Sequence, residues 1–301
     1  MRIGRAHAST DTGRRRLQNE DIFVCRPPLF AVADGMGGAQ AGELASRLAA
    51  AALEERAGEL QGEEAIAELV REANARIFQR AVTDPAASGM GTTATVALQD
   101  EERGTLAIAH VGDSRAYRLR DGQLEQLTLD HSVVGELVRA GRLTEEEALQ
   151  HPYRSAITRA LGTEAEVDVD TLTVETSPGD LYLICSDGLT TMLRDDEILA
   201  VAAAGDGDPA RIADALVGAA NAAGGEDNVT VVLFEIVEGE PGAPRHEEAD
   251  TPAPTAAIPL ASPATEVSRT GAGRGGRWPA LLLILLVLAV AALLVWWGIT
   301  K

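Results

Sequence analysis

Three short segments of the chain place a carboxylate beside glycine or asparagine next to an apolar run. They are Asp34-Gly35-Met36-Gly37-Gly38, Ser186-Asp187-Gly188 and Glu226-Asp227-Asn228, and the adjoining runs are 29–33, 181–185 and 229–234. Carboxylates at strand ends supply the oxygen ligands that a hard divalent cation prefers, and glycine lets the backbone approach the ion and offer a carbonyl. A fourth candidate, Asp113, lies in Val111-Gly112-Asp113-Ser114-Arg115. One such segment is typical of an ordinary turn, but the four together predict a metal site.

The amino-terminal segment adds Thr10-Asp11-Thr12-Gly13, Arg16 and Asn19-Glu20-Asp21. With these residues the sequence resembles the bacterial branch of the metal-dependent serine/threonine protein phosphatases, the protein phosphatase 2C family. The motifs that carry the resemblance occur in family order from about residue 3 to residue 236: T-D-x-G-x-x-R-x-x-N-E-D, D-G-M-G-G-x-x-A-G-E, G-T-T-A-T, H-V-G-D-S-R-A-Y, C-S-D-G-L and E-D-N-V-T. The resemblance implies an α+β fold, a four-layer α–β–β–α sandwich of two antiparallel sheets flanked by helices, with the metal site at one end.

The resemblance also implies a set of metal ligands. Asp34 corresponds to the carboxylate that bridges two ions, and the carbonyl of Gly35 joins it. Asp187 and Asp227 correspond to ligands of the first ion. Glu20 and Asp21 orient the water molecules on the side of the second ion, as direct ligands or through those waters. Two cations about 3.5–4 Å apart can activate water and neutralise a phosphoryl group, and an oxygen-only ligand set selects Mn²⁺ or Mg²⁺ over Zn²⁺.

Three further positions bear on the chemistry. Arg16 matches the arginine that binds the substrate phosphate, since its planar fork can hold two phosphate oxygens; the adjacent Arg14 and Arg15 have no such match and are expected to be surface charges. Asp113 matches a carboxylate that holds a third ion together with Asp187, or it caps its own loop. Met36 stands where animal-type members carry a histidine, so the resemblance names no general acid and favours a water on the third ion.

Alternating and helical periodicities predict the elements that position these residues. Strands are expected at 3–9, 22–26, 29–33, 92–98, 105–111, 115–120, 123–128, 168–175, 181–186 and 228–236, and helices at 40–57, 63–82, 131–140, 144–150, 195–204 and 209–223. Asp121-Gly122 predicts a hairpin turn between 115–120 and 123–128, and Thr144 opens a capping box. Residues 141–161 correspond to a variable flap beside the active site, whose Arg154 and Arg159 either meet phosphopeptides or are solvated surface charges.

Charge distribution excludes one class of partner. The net charge is −20; residues 241–301 hold five basic and four acidic side chains, so residues 1–240 carry 21 basic against 42 acidic ones, or −21. A surface this acidic lacks a basic face to pair with a phosphate backbone, so we expect no nucleic-acid binding.

The carboxyl-terminal part of the chain predicts a membrane anchor. The assigned domains are a catalytic domain at 1–237, a linker rich in Pro, Ala, Thr and Gly at 238–277, a transmembrane helix at 278–298 and a short extracytoplasmic tail at 299–301. The span is long enough to cross the hydrocarbon core, and Trp278, Trp296 and Trp297 flank it as interfacial aromatic residues do. Arginines at 269, 274 and 277 precede it, so the positive-inside rule places the catalytic domain in the cytoplasm of a single-pass membrane protein.

The function implied by the resemblance is metal-dependent hydrolysis of phosphoserine and phosphothreonine on proteins, among them bacterial Ser/Thr kinases, whose signalling it would reverse. Two alternatives remain open at this stage. One is a phosphatase dedicated to an anti-sigma-factor antagonist. The other is a pseudophosphatase that binds partners without turnover, whose expected mark, the loss of a metal carboxylate, is not seen at Asp34, Asp187 or Asp227.

Overall fold

The structure, a computed structural model, describes residues 1–56 and 61–239. The chain divides into a unit at Met1–Ala243 and a unit at Pro244–Lys301. The predicted transmembrane helix and tail, and all but the first two residues of the predicted linker, lie outside the described residues. Within the described ranges, no helix is both long and apolar enough to cross a membrane.

Two antiparallel five-stranded sheets form the centre of the first unit. Sheet I has the strand order β1-β12-β11-β8-β9, and sheet II has the order β10-β7-β6-β3-β2; β4 and β5 form a separate two-stranded pair. The strands are β1 (Arg2–Asp11), β2 (Ile22–Arg26), β3 (Leu29–Ala33), β4 (Gly35–Met36), β5 (Gly91–Thr92), β6 (Ala94–Asp100), β7 (Thr105–Val111), β8 (Arg115–Arg120), β9 (Gln123–Gln126), β10 (Asp170–Glu175), β11 (Leu181–Cys185) and β12 (Val229–Val237).

The described residues also form seven helices, and two of them cover the outer face of each sheet. They are α1 (Ala39–Arg56), α2 (Gly62–Thr83), α3 (Val133–Arg139), α4 (Glu145–Leu149), α5 (Asp187–Thr190), α6 (Asp195–Ala204) and α7 (Pro209–Ala223), with a 3₁₀ turn at Pro85–Ala87. One apolar cluster joins α1 and α2 to sheet II, a second joins α6 and α7 to sheet I, and a third lies between the sheets. In that third cluster the rings of Phe30 and Phe234 stack with centroids 4.0 Å apart. The predicted four-layer sandwich is therefore confirmed.

Several local predictions are confirmed and others are corrected. The hairpin turns at Asp121 and Gly122, whose φ angles of 52° and 74° are those of a two-residue hairpin turn. Strand 92–98 is interrupted at Thr93, because the backbone N–H of Thr93 bonds to Asp34 O (2.9 Å). Asp187, which the sequence places in a loop after its strand, instead begins the short helix α5. The predicted bounds 22–26, 29–33, 105–111, 115–120, 195–204 and 209–223 are those observed, and the bounds of the other predicted elements differ by one or two residues at an end.

Candidate active site

Strand register brings the predicted ligands to one edge of the sandwich. Ile22 at the start of β2 pairs with Ala33 at the end of β3, and Cys185 at the end of β11 pairs with Val231 near the start of β12. Residues just outside these strand ends must therefore lie near one another. Val111, at the end of β7, pairs with Ala94 at the start of β6, and Asp113 follows Val111 by two residues. The carboxylates so positioned are Asp21, Asp34, Asp113, Asp187 and Asp227.

An open pocket of about 490 Å³ lies at this edge. Its lining includes seven of the eight predicted site residues: Arg16, Glu20, Asp34, Gly35, Asp113, Asp187 and Asp227. The eighth, Asp21, is buried (4% exposed), and its negative charge raises the pKa of Asp34. Leu17, which is 97% exposed, also lines the pocket. The structure thus places the whole predicted set in or directly behind one pocket.

The carboxylates of the pocket destabilise one another's charged forms. Burial and the neighbouring charges of Asp21, Asp187 and Asp113 raise the pKa of Asp34 well above its usual value. Asp187 is affected in the same way, first by burial and then by Asp113. Burial raises the pKa of Asp21 to about 6, and burial together with Asp130 raises that of Asp113 to about 7. Opposing positive charge would relieve this repulsion, as a multivalent cation does.

The donor chemistry also fits such cations. Every candidate ligand offers oxygen, the donor that Mg²⁺ and Mn²⁺ prefer, and the buried Oδ1 of Asp21 has no hydrogen-bond partner within the described part of the chain. In that part, no three His, Cys, Asp or Glu side chains lie in an arrangement that would hold a metal ion as they stand. Instead, Arg16 Nη2 lies 2.6 Å from Asp227 Oδ2, so one candidate ligand is paired with the predicted phosphate-binding cation.

Close backbone approach explains two glycines of the motif. A Cβ at Gly35 would lie 2.3 Å from the carbonyl oxygen of Gly42 and 2.6 Å from that of Glu20. A Cβ at Gly42, in the first turns of α1, would lie 1.9 Å from Oε2 of Glu20. Such distances are too short for any side chain. Glycine at both positions therefore lets α1, the segment after Asp34 and the Glu20 carboxylate share one corner of the pocket.

Comparison with known proteins agrees with this geometry. The family model "Protein phosphatase 2C" matches residues 14–217, which contain all the pocket carboxylates except Asp227. The chain belongs to the protein phosphatase 2C family.

Individual members are similar over most of the unit at Met1–Ala243. The chain is 43% identical over 238 residues to the serine/threonine protein phosphatase PstP of Mycobacterium tuberculosis; the match covers 78% of this chain but only 45% of that protein. It is 40% identical over 242 residues to the serine/threonine phosphatase stp of Listeria monocytogenes, covering 76% of this chain and 95% of the relative. A crystal structure of the PstP catalytic domain in complex with two manganese ions superimposes with a TM-score of 0.73 at 39% identity, covering 79% of this chain and all of the other.

Asn228 has a role in this phosphatase 2C site that the sequence analysis did not assign. Its Oδ1 accepts a 2.8 Å bond from the backbone N–H of Glu20, and its Nδ2 donates to the carbonyls of Thr12 and Gln18, both at 2.9 Å. Its own backbone N–H donates to Oδ1 of Asp227 (2.8 Å). One buried amide thus fixes the loop that carries Arg16 and Glu20 against the segment that carries Asp227.

Two hydroxyl groups fix two further candidate ligands, one through its carboxylate and the other through its backbone. Ser186 Oγ donates to Asp21 Oδ2 (2.8 Å) and accepts from the backbone N–H of Thr230 (3.0 Å). Thr93 Oγ1 accepts from the backbone N–H of Asp34 (3.0 Å). Both side chains are buried. The serine of the C-S-D-G-L motif and the second threonine of G-T-T-A-T were visible in the sequence, but only the structure shows that the serine contacts the carboxylate of Asp21 and the threonine the backbone of Asp34.

The flap of the phosphatase 2C chain is joined to the pocket at its base. The predicted capping box is present in α4, between Thr144 and Glu147. Arg159 Nη1 lies 2.5 Å from Asp170 Oδ1 and 3.1 Å from His131 Nε2, so Arg159 holds the base of the flap to β10. His131 also accepts from the backbone N–H of Gly112 (3.1 Å), directly before Asp113. The structure therefore assigns a structural role to both His131 and Arg159.

Proposed function

We propose that this protein is a metal-dependent phosphatase that hydrolyses phosphoserine and phosphothreonine on proteins. The observation that carries the proposal is the convergence of five carboxylates and Arg16 on one pocket of a phosphatase 2C fold. The relatives named as serine/threonine phosphatases support the same substrate class. The presence of every expected carboxylate disfavours the pseudophosphatase alternative.

The chain offers a distinct group for each requirement of the reaction. Asp34, the Gly35 carbonyl, Asp187 and Asp227 would hold two Mn²⁺ or Mg²⁺ ions, and Asp113 with Asp187 would hold a third. When bound, such ions lower the pKa of water and neutralise the phosphoryl oxygens. The neighbouring protein whose crystal structure contains two manganese ions supports this assignment. Glu20 and the buried Asp21 lie where they can orient water beside these ligands.

Arg16 would bind and orient the phosphate. Its guanidinium lies in the pocket, half-exposed, within reach of groups that enter from solvent. A planar guanidinium can hold two phosphate oxygens at once and so fix the phosphorus relative to an attacking water. The ion pair with Asp227 keeps this side chain directed into the pocket when no substrate is present.

Location and partners are part of the same proposal. The apolar sequence at 278–298, with tryptophans at its ends and arginines before it, supports a single membrane-spanning helix that holds the catalytic unit at the cytoplasmic face. Phosphorylated proteins at that membrane surface, including Ser/Thr kinases, would then be substrates. A phosphatase dedicated to an anti-sigma-factor antagonist would use the same site and differ only in substrate.

The direct test is phosphate release by the purified full chain in detergent. After treatment with EDTA, the protein is offered phosphoserine, phosphothreonine and phosphotyrosine peptides with and without Mn²⁺. We expect Mn²⁺-dependent release from the first two peptides and much less from the third. Release that persists in EDTA, or no release from any peptide with Mn²⁺, would refute the proposal.

A further inference from the structure

Two arginines at the mouth of the pocket share one carboxylate. Arg15 Nη2 lies 3.9 Å from Glu226 Oε1, and Arg154 Nη2 lies 3.5 Å from Glu226 Oε2. We call these three side chains the rim bridge. Arg15 belongs to the amino-terminal loop and Arg154 to the flap at 141–161, so the rim bridge links the two segments that border the pocket.

The position of the rim bridge ties it to substrate entry. Arg15 itself lines the pocket, as does Ser155, the residue after Arg154. Glu226 directly precedes the candidate ligand Asp227. The amino-terminal loop is fixed beside Glu226 by a 2.7 Å hydrogen bond from the N–H of Arg14 to Gly225 O. A peptide whose phosphate reaches Arg16 from this side of the pocket therefore passes next to these three charges.

The contacts of Glu226 within the rim bridge are weak enough for another carboxylate to replace it. The side chains of Arg15, Arg154 and Glu226 are 70%, 48% and 41% exposed, and both N···O distances exceed those of a close ion pair. Exposed pairs of this kind contribute at most about 1 kcal/mol each. Two guanidinium groups share one carboxylate, so the rim bridge has a net positive charge in a part of the chain whose total is −21.

We propose that the rim bridge is a specificity subsite for an acidic side chain near the phosphorylated residue of the substrate. In the free protein Glu226 occupies the place that this substrate carboxylate takes. Arginine binds carboxylates in a planar, two-bond arrangement, so an incoming aspartate or glutamate can replace Glu226 between Arg15 and Arg154. This inference rests on the proposed phosphatase function and specifies its substrate.

The position of Arg15 beside Arg16 indicates which residues of the substrate can reach the rim bridge. Arg15 is the chain neighbour of Arg16, which the proposed function assigns to the phosphate. An extended peptide advances roughly 3.5 Å per residue, so a substrate carboxylate within about three residues of the phosphorylated one can reach the rim bridge. Phosphopeptides with acidic residues at those positions are therefore the favoured class.

The test compares two phosphothreonine peptides that differ only by Glu or Gln at the flanking positions. The readout is the ratio of their kcat/KM values for the full chain in detergent with Mn²⁺. We expect the Glu peptide to be favoured about fivefold, which corresponds to about 1 kcal/mol. Arg154→Ala and Arg15→Ala should each lower the ratio towards one. Arg154→Lys should give a ratio between that of Arg154→Ala and that of the unaltered protein. Glu226→Gln should raise the ratio, because it removes the carboxylate that competes with the substrate.

Arg142→Ala is the matched control, because Arg142 is exposed in the same flap segment and takes no part in the rim bridge; its ratio should equal that of the unaltered protein. A ratio of one in the unaltered protein, or a ratio that Arg154→Ala and Arg15→Ala leave unchanged, would overturn the subsite while leaving the phosphatase function intact. Failure to hydrolyse either peptide would instead overturn the proposed function and the subsite with it.

Discussion

Arg16 and Asp227 form a 2.6 Å ion pair inside the pocket. The first residue is assigned to the substrate phosphate and the second to an ion, so the two binding functions meet at one carboxylate. A change at Arg16 therefore acts on substrate binding and, through Asp227, on ion binding, and the two effects can be measured separately.

The first prediction follows from that pair. Arg16→Ala should raise KM for a phosphopeptide by on the order of tenfold or more, because a charged hydrogen-bond donor to the phosphate is lost. Its Mn²⁺ affinity, measured by calorimetry, should be unchanged or tighter, because a competitor for Asp227 is gone. Arg14→Ala, which removes an exposed neighbouring charge, is the control with unchanged KM. Weakened Mn²⁺ binding with an unchanged KM would show that Arg16 is misassigned.

A second prediction concerns how far the repulsion among the clustered carboxylates destabilises the fold. Asp34→Asn keeps the size of the side chain and removes a buried charge that opposes those of Asp21, Asp187 and Asp113. In EDTA this variant should melt at a temperature higher by on the order of a few degrees, since about 1 kcal/mol shifts Tm by roughly 2–4 °C at this size. Differential scanning calorimetry measures the change. A lower Tm would mean that the charge of Asp34 is already compensated in the ion-free protein.

The third prediction uses pH. The pKa of Asp113 rises from 3.8 to about 7 on folding and that of Asp21 from 3.8 to about 6. The folded state thus binds more protons than the unfolded state between about 4 and 7, and stability falls as pH rises through that range. His110 and His131, whose pKa values burial lowers, act in the opposite direction for as long as the unfolded state binds a proton at histidine, up to about pH 7.5.

In a comparison of pH 6.5 with pH 8 the carboxylates outweigh these histidines, because the pKa values of Asp34 and Asp187 are raised as well. In EDTA the free energy of unfolding, from urea titration, should be higher at pH 6.5. Saturating Mn²⁺ should remove or reverse the difference, because ligands bind the ion in their deprotonated form. Greater stability at pH 8 than at pH 6.5 in EDTA would contradict the assigned direction.

A fourth prediction separates site geometry from general stability. Asn228→Ala removes three side-chain hydrogen bonds that hold the Arg16 loop and should both destabilise the fold and raise KM. Asn74 is the matched control: it is also buried and also makes three bonds, to Gly162, Glu164 and Ala165, away from the pocket. Asn74→Ala should destabilise the fold by a similar amount, on the order of 2 kcal/mol or more, without changing KM. Equal KM values in the two variants would show that Asn228 does not position the Arg16 loop for substrate binding.

The fifth prediction concerns the carboxyl-terminal sequence. A chain that ends at Val237, the last residue of β12, keeps the pocket and both sheets but lacks all three tryptophans. It should stay soluble without detergent and keep the phosphopeptide activity of the full chain. In the full chain, tryptophan emission should respond to quenchers dissolved in the lipid. Loss of activity on truncation would show that the tail supports the catalytic unit, and emission insensitive to those quenchers would contradict a lipid-embedded span.

Much of the candidate site could be predicted because each candidate ligand lies one or two residues from a strand end. Apolar runs mark the strands, and antiparallel pairing then gathers their ends at one edge. The roles of Asn228 and Ser186 could not be predicted, because the amino-terminal residues that their side chains hold lie 165 to 216 residues away along the chain. Helix α5 was missed because four residues are too few to show a helical period. The interruption at Thr93 was missed because a β-branched residue in an apolar run favours an unbroken strand.

Phosphate release by Asp34→Asn and Asp187→Asn, measured against Mn²⁺ concentration beside the unaltered full chain, tests the central assignment most directly. The unaltered protein should be inactive after EDTA treatment and should reach a saturating rate as Mn²⁺ is restored. Both variants should remain folded and should stay slower by on the order of several hundred-fold at saturation, because each lacks a charge that offsets the ions. A rate near that of the unaltered protein in Asp34→Asn at saturating Mn²⁺ would contradict the bridging role of Asp34 and with it the metal-centred account of this pocket.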